Sequence, residues 1–105
     1  MMKRSQKKAL YAEALAHYGL NSQIFMVFEE MGELQDALAK YIRGRGTTEA
    51  VITELADVSI MVEQMAQLFG VEDFRAEKER KLNRLASRLS SSNTNDSNNG
   101  KTTDK

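Results

Sequence analysis

The sequence predicts an all-α protein in which four helices form a bundle-like domain. Its 105 residues contain no proline, and apolar residues recur three and four positions apart, which is the spacing of one helix face. Most of the glycines lie between these periodic segments, at positions where helices commonly end. The glycines that separate the segments are Gly19, Gly44, Gly46 and Gly70.

The first helix is predicted from about Lys3 to Tyr18, ending before Gly19. The second opens near Asn21, a residue type that caps helix N-termini well, and continues to about Arg43. Apolar residues at helical spacing run along the whole second helix, and we expect them to pack inward. They are Ile24, Val27, Phe28, Met31, Leu34, Leu38, Tyr41 and Ile42.

The third helix is predicted to begin at Thr47 or Thr48 and to end at Phe69, with Glu49 placed to complement its positive end. Its main apolar stripe, expected to pack inward, is Val51, Leu55, Val58, Val62, Met65 and Phe69. Further apolar residues widen this stripe, so this is the helix expected to be most buried. The short glycine-rich link before it favours an antiparallel hairpin with the second helix.

The fourth helix is predicted from about Glu72 to Leu89, with Phe74, Leu82, Leu85 and Leu89 facing inward. Residues 90–105 are mostly serine, asparagine and threonine and cannot build a core, so a disordered polar tail is expected there. Residues 1–89 then form one helical domain. A domain of this size buries only about 60 to 65% of its unfolded surface, and we therefore expect a homo-oligomer.

Composition excludes several classes of function. Fifteen basic residues balance fifteen acidic residues, which argues against general attraction to nucleic acid or to an anionic membrane. Cysteine is absent, so disulfides and thiolate chemistry are excluded. No apolar run approaches the ~18 residues of a membrane span, and the first residues are polar. A soluble, cytoplasmic protein is expected.

Two acidic pairs mark the candidate site. They are Glu30-x-x-Glu33 on the second helix and Glu54-x-x-Asp57 on the third. Residues three apart share a helix face, so each pair can direct two carboxylates at one point. The hairpin can bring the pairs side by side. Spacing alone leaves open whether they meet within one chain or across a dimer.

The surroundings of the second pair distinguish it from ordinary surface acids, which are usually just solvated. Glu54 and Asp57 lie beside Ala50, Met61 and Leu68 on the helical wheel. Carboxylates in such surroundings cost several kcal/mol or take up protons unless a cation compensates them. Four carboxylates without nearby histidine or cysteine favour Mg²⁺ or Mn²⁺.

Basic residues of the fourth helix are candidates for phosphate binding. Lys78 falls on the inward stripe, and Lys81 and Arg84 lie in a neighbouring row. A solvated basic face is an equal alternative. Mg²⁺ together with such cations would suit a triphosphate, because both neutralise the charge on a leaving pyrophosphate.

At these residues the chain resembles the MazG-like all-α nucleoside triphosphate pyrophosphohydrolases, relatives of the dimeric dUTPases. Their pattern is Glu-Glu-x-x-Glu followed by Glu-x-x-Asp, and here it reads Glu29-Glu30-Met31-Gly32-Glu33 and Glu54-Leu55-Ala56-Asp57. The likeness covers about residues 20–89. Some relatives carry a basic residue one turn before the second motif, where this chain has Ala50.

The resemblance implies Mg²⁺-dependent hydrolysis of a nucleoside triphosphate to the monophosphate and pyrophosphate, in nucleotide-pool housecleaning, by a dimer or tetramer. It implies metal ligation by Glu30, Glu33, Glu54 and Asp57, with Glu33 or Glu29 as the base. Two alternatives stay open at this point. One is a non-catalytic nucleotide-binding or regulatory oligomer, and the other is an oligomerisation protein whose acids are incidental.

Overall fold

The computed structural model describes the backbone of residues 1–94 and the side chains of residues 1–92. Within those residues the chain is all-helical and has no strand, which confirms the all-α part of the predicted fold class. No helix in this part of the chain is long and apolar enough to cross a membrane. The helices are α1 (Arg4–Tyr18), α2 (Leu20–Ile42), α3 (Thr48–Phe69) and α4 (Val71–Thr94).

The chain divides into two compact units, each described by itself. The first unit comprises residues 1–69 and contains α1, α2 and α3, while the second begins at Gly70 and contains α4. Within the first unit, the principal packing is between α2 and α3. The expectation of one helical domain over residues 1–89 stays a prediction.

A single glycine separates α1 from α2. The backbone N–H of Gly19 donates to the carbonyl of Leu15 at 2.9 Å, and its carbonyl accepts from the N–H of Gln23 at 3.1 Å. Its φ of 90° lies where a side chain would be strained. Gly19 is therefore both the C-cap of α1 and the N-cap of α2. Asn21, predicted as the cap, instead lies inside the first turn of α2.

The link from α2 to α3 folds back tightly on the end of α2. The N–H groups of Arg45 and Gly46 both donate to the carbonyl of Lys40, at 2.9 and 3.1 Å. The hydroxyl of Thr47 then accepts from the N–H of Ala50 at 3.1 Å and caps α3. So short a link makes α2 and α3 an antiparallel hairpin, and the predicted start and end of α3 are confirmed.

The inward face of α3 differs from the predicted one. Its buried and half-buried residues are Val51, Glu54, Asp57, Val58, Met61, Gln64, Met65, Ala66, Gln67 and Leu68. Met61 is the most buried, with 6% of its surface exposed. The stripe through Leu55, Val62 and Phe69 was expected inside, but these three side chains are exposed. Because α3 is apolar around much of its circumference, periodicity alone did not determine which side packs.

Helix α1 attaches to α3 through polar contacts and contributes no buried residue. The Tyr11 hydroxyl donates to Glu63 Oε1 at 2.5 Å, and the Gln67 side chain donates to the carbonyl of Lys8 at 3.0 Å. Burial of the hydroxyl, the hydrogen bond to Glu63 and the charge of Glu63 together raise the pKa of Tyr11 to about 12. The hydrogen bond from Tyr11 to Glu63 therefore requires a protonated tyrosine.

Helix α4 carries ion pairs along its exposed surface. Arg75 pairs with Glu72 at 3.0 Å, and Glu77 pairs with Arg80 and with Lys81. The helix continues to Thr94, five residues past the predicted end at Leu89. Serine and asparagine lower helix propensity only modestly, and no glycine or proline intervenes before Gly100. Residues 95–105, the larger part of the predicted disordered tail, lie outside the described residues.

The Gly46→Ala substitution is expected to destabilise the hairpin link. A Cβ at Gly46 would lie 2.9 Å from the backbone nitrogen of Tyr41, so the link must shift. We expect a loss of about 1–3 kcal/mol in the free energy of unfolding, measured by urea denaturation. Gly32→Ala is the matched control, because a Cβ there meets nothing within 4 Å and alanine favours helix by about 0.5–1 kcal/mol. Equal effects of the two substitutions would contradict this account of the link.

Candidate functional site

The hairpin brings three of the predicted carboxylates together. Glu30 and Glu33 on α2 and Glu54 on α3 each offer an oxygen, and these oxygens lie within 4.8 Å of one another. We call these three residues the acid triad. All of them belong to one chain, so the two acidic motifs meet without a second subunit.

Two members of the acid triad have buried carboxylate oxygens. Glu30 and Glu54 are half-buried, and Oε1 of each is shielded from solvent without a hydrogen-bond partner. Glu33, by contrast, is exposed. A buried carboxylate oxygen without a donor is unfavourable, because it has lost its hydration and gained nothing in exchange. The seam between α2 and α3 therefore holds two carboxyl groups whose charged form is disfavoured.

The electrostatics of the site follow from this crowding. Burial raises the pKa of Glu30, and the charges of Glu33, Asp57, Glu54 and Glu29 raise it further. Burial likewise raises the pKa of Glu54, with the charges of Glu33 and Asp57 adding to the effect. Both carboxyl groups thus hold protons more readily than an ordinary glutamate. A divalent cation would relieve the same repulsion.

The two remaining predicted carboxylates lie close to the triad but outside it. Asp57 is half-buried on α3, and its charge acts on both Glu30 and Glu54. Its oxygens are not among those that converge within 4.8 Å. Glu29 is exposed on α2. Three of the four predicted ligands therefore converge, and the fourth is a close neighbour.

The predicted phosphate-binding cations all lie on α4, in the second unit. The Lys78 ammonium lies 5.8 Å from the ring centre of Phe74 on the same helix, and Lys81 pairs with Glu77 at 3.6 Å. Arg84 is exposed. Contact of these three residues with a ligand at the acid triad stays a prediction.

A groove of about 400 Å³ runs along α2 beside the acid triad. Its lining includes Phe28, Glu29, Glu33 and Lys40 from α2 and Ala50 and Glu54 from α3. Sequence reasoning missed Lys40 as a site residue. A signal was present, because Lys40 lies seven residues after Glu33 and hence about two turns further along the same face. A volume of this size lies within the range of small-molecule sites.

The stability of the protein without divalent cations is expected to rise as the pH falls from neutrality toward the ordinary pKa of glutamate. The folded protein takes up protons at Glu30 and Glu54 more readily than the unfolded chain does, so protonation favours folding. The Glu54→Gln variant removes one of these carboxylates. It is expected to have a higher Tm at neutral pH and a flatter pH dependence.

The measurement is thermal unfolding in chelator-treated buffer over this pH range. Glu13→Gln is the control, because Glu13 is an exposed carboxylate on α1. The Tm of this variant should depend on pH in the same way as the Tm of the wild type. A Glu54→Gln variant with the Tm and pH dependence of the wild type would mean that the seam carries no electrostatic strain.

Comparison of the chain with protein-family models, with curated proteins and with solved structures finds no match. The likeness to the MazG-like enzymes therefore rests on the two acidic motifs, Glu29 to Glu33 and Glu54 to Asp57. Membership of that family stays a prediction.

Proposed function

We propose that this protein is a Mg²⁺-dependent nucleoside triphosphate pyrophosphohydrolase of the MazG-like kind, acting in the cytoplasm on the nucleotide pool. One observation carries the proposal. Three carboxylates converge in an apolar seam, and the Oε1 atoms of Glu30 and Glu54 are buried there without a donor. Such an arrangement does not stabilise the fold. We therefore infer that these carboxylates bind a ligand that compensates their charge.

The donor set fits a hard divalent cation. Glu30, Glu33 and Glu54 would hold it, with Asp57 beside them, and every donor is a carboxylate oxygen. Such a set favours Mg²⁺ or Mn²⁺ over zinc, which prefers nitrogen and sulfur. When bound, Mg²⁺ would neutralise the oxygens of the phosphate chain and make the phosphorus more open to attack.

The reaction proposed is attack by water on the α-phosphorus of the triphosphate. The bond from that phosphorus to the α,β-bridging oxygen breaks, and pyrophosphate leaves with the electron pair while the monophosphate keeps the new oxygen. We assign the proton of the water to Glu29, because Glu29 lines the groove but lies outside the acid triad. Glu33, the other candidate base, is exposed at the triad and is better placed to hold the cation.

Self-association as a homodimer or homotetramer forms part of the proposal. Although 41% of the residues are hydrophobic, Ala37 and Met61 are the only buried apolar residues among those that the structure describes, and both keep 6 to 8% of their surface exposed. Large apolar side chains remain exposed along one stripe of α2 and one of α3. The stripes are Met31, Leu38 and Ile42 on α2 and Leu55, Val62 and Phe69 on α3.

The two stripes lie on the same side of the hairpin. At about 100° per residue, each stripe is roughly a quarter turn from the seam-facing residues of its helix, in the same rotational sense. Antiparallel helices then present both stripes on one side, away from the groove. The six side chains expose on the order of 700 Å², close to the ~800 Å² that each partner contributes to a standard interface. We therefore propose that a second copy of the chain covers this surface.

Incubation with Mg²⁺ and a panel of standard and modified nucleoside triphosphates is expected to release pyrophosphate. Glu54→Gln and Asp57→Asn should lower kcat by about 100-fold or more, because the first removes a proposed ligand of the cation and the second removes a negative charge beside it. Glu13→Gln, on the exposed surface of α1, should retain the activity of the wild type. If neither site substitution lowers turnover, the assignment of the site is wrong. Nucleotide-dependent thermal stabilisation without any product would favour the non-catalytic binding module.

A charge on the apolar side of the hairpin is expected to dissociate the oligomer. Val62→Glu places a carboxylate in the proposed interface, whereas Ile60→Glu places one on the other side of α3. The two side chains are similarly exposed, at 40% and 48%, so they form a matched pair. Sedimentation velocity should show a monomer for Val62→Glu and the assembly of the wild type for Ile60→Glu. A wild type that sediments as a monomer would refute the proposed interface.

A further inference from the structure

The groove beside the acid triad presents three different chemistries in order along α2. Phe28 lies at one end, the carboxylates of Glu29 and Glu33 follow, and the ammonium of Lys40 lies at the other end. From Phe28 to Lys40 the helix rises by about 18 Å, at ~1.5 Å per residue. An elongated ligand with an aromatic end and an anionic end would match this order.

The Phe28 end offers an aromatic surface for stacking. Phe28 is 62% exposed in the single chain. The ring of Phe25 contacts it edge to face, with a distance of 6.0 Å between ring centres. This contact restrains the ring of Phe28. An exposed, restrained aromatic ring at the edge of a groove is suited to stack on a flat base.

The Lys40 end offers a positive charge. Lys40 is the one cation that lines the groove, and Ala50 across from it on α3 carries no charge. Its ammonium pairs with Asp36 Oδ2 at 3.0 Å, one turn earlier on α2. Both side chains are more than half exposed, so the pair contributes little free energy and can be exchanged for a stronger anion. A phosphate that enters the groove would be such an anion.

We infer that a nucleoside triphosphate binds along α2 with its base on Phe28 and its β and γ phosphates at Lys40. This inference rests on the proposed function and adds the direction of the substrate. In this direction the α phosphate falls beside Glu33 and Glu54, between the two ends of the groove. Lys40 would also draw the leaving pyrophosphate toward the end of α2.

The two ends of the substrate can be tested separately with two probes. Pyrophosphate carries only the phosphate end, and deoxynucleoside monophosphates carry the base. Calorimetric titration of each probe into the full chain with Mg²⁺ gives a Kd that does not depend on turnover. Lys40→Met should weaken pyrophosphate binding about tenfold and leave the monophosphates unchanged. Phe28→Leu should weaken the monophosphates about tenfold and leave pyrophosphate unchanged.

Two controls separate ligand contact from a structural role. Asp36→Asn breaks the same ion pair as Lys40→Met but keeps the ammonium, so pyrophosphate should bind at least as tightly as to the wild type. Arg75→Met removes a comparable exposed ion pair on α4 and should change neither Kd. If Asp36→Asn weakens pyrophosphate as much as Lys40→Met does, the lysine acts only through its ion pair, and the inference is wrong.

The remaining outcomes separate the direction of binding from the proposed function. A reversed pattern, or equal losses for both probes in both variants, overturns the direction even when the wild type hydrolyses nucleoside triphosphates normally. Absence of binding by both probes to the wild type overturns the inference outright, because the groove then accepts neither end of a nucleotide. If the predicted pattern of Kd values is found but the substrate panel releases no pyrophosphate, the proposed enzyme activity is wrong and the inferred direction of binding still holds.

Discussion

The seam between α2 and α3 governs the rest of the structure, because carboxylates occupy positions where a hairpin ordinarily buries leucine. Glu54 and Asp57 lie on the same face of α3 as Met61, the most buried apolar residue of the chain. Glu30 meets Glu54 from α2, and the charge of Asp57 acts on Glu30 as well. Each of these acids has lost hydration, and repulsion among them opposes close packing. The hairpin is therefore assembled at a cost that its apolar contacts must offset.

This arrangement also explains the apolar surface outside the seam. When α3 turns Glu54 and Asp57 inward, it turns Leu55, Val62 and Phe69 about a quarter turn away from α2. The most apolar stripe of the helix then faces outward in the single chain. The candidate site between the two helices and the proposed interface on their shared side are thus linked by one rotation of α3. The same linkage separates them in space, so the groove stays open when the apolar side is covered.

Most of the helical architecture and part of the candidate site could be predicted from the sequence. The link after α2 was predictable because glycines and a capping threonine specify it locally, and Glu30, Glu33 and Glu54 were predictable as neighbours from their spacing on a hairpin. The rotation of α3 was not, because its apolar residues cover too much of the circumference to single out one face. The predicted start of α2 near Asn21 is too late in the chain. Gly19 caps the helix in a backbone conformation that side-chain preference does not reveal. Lys40 was missed because an exposed lysine paired one turn away resembles any surface residue.

Binding of Mn²⁺ followed by electron paramagnetic resonance decides whether the acid triad holds a divalent cation, on which the proposed function depends. We expect the signal of free Mn²⁺ to fall as wild-type protein is added and to return with excess Mg²⁺, and we expect the Glu30→Gln/Glu54→Gln double variant to leave the signal unchanged. Equal loss of the free signal with the wild type and the double variant would place the cation elsewhere. No loss with either protein would leave the buried carboxylates without a cation and would refute the proposed site.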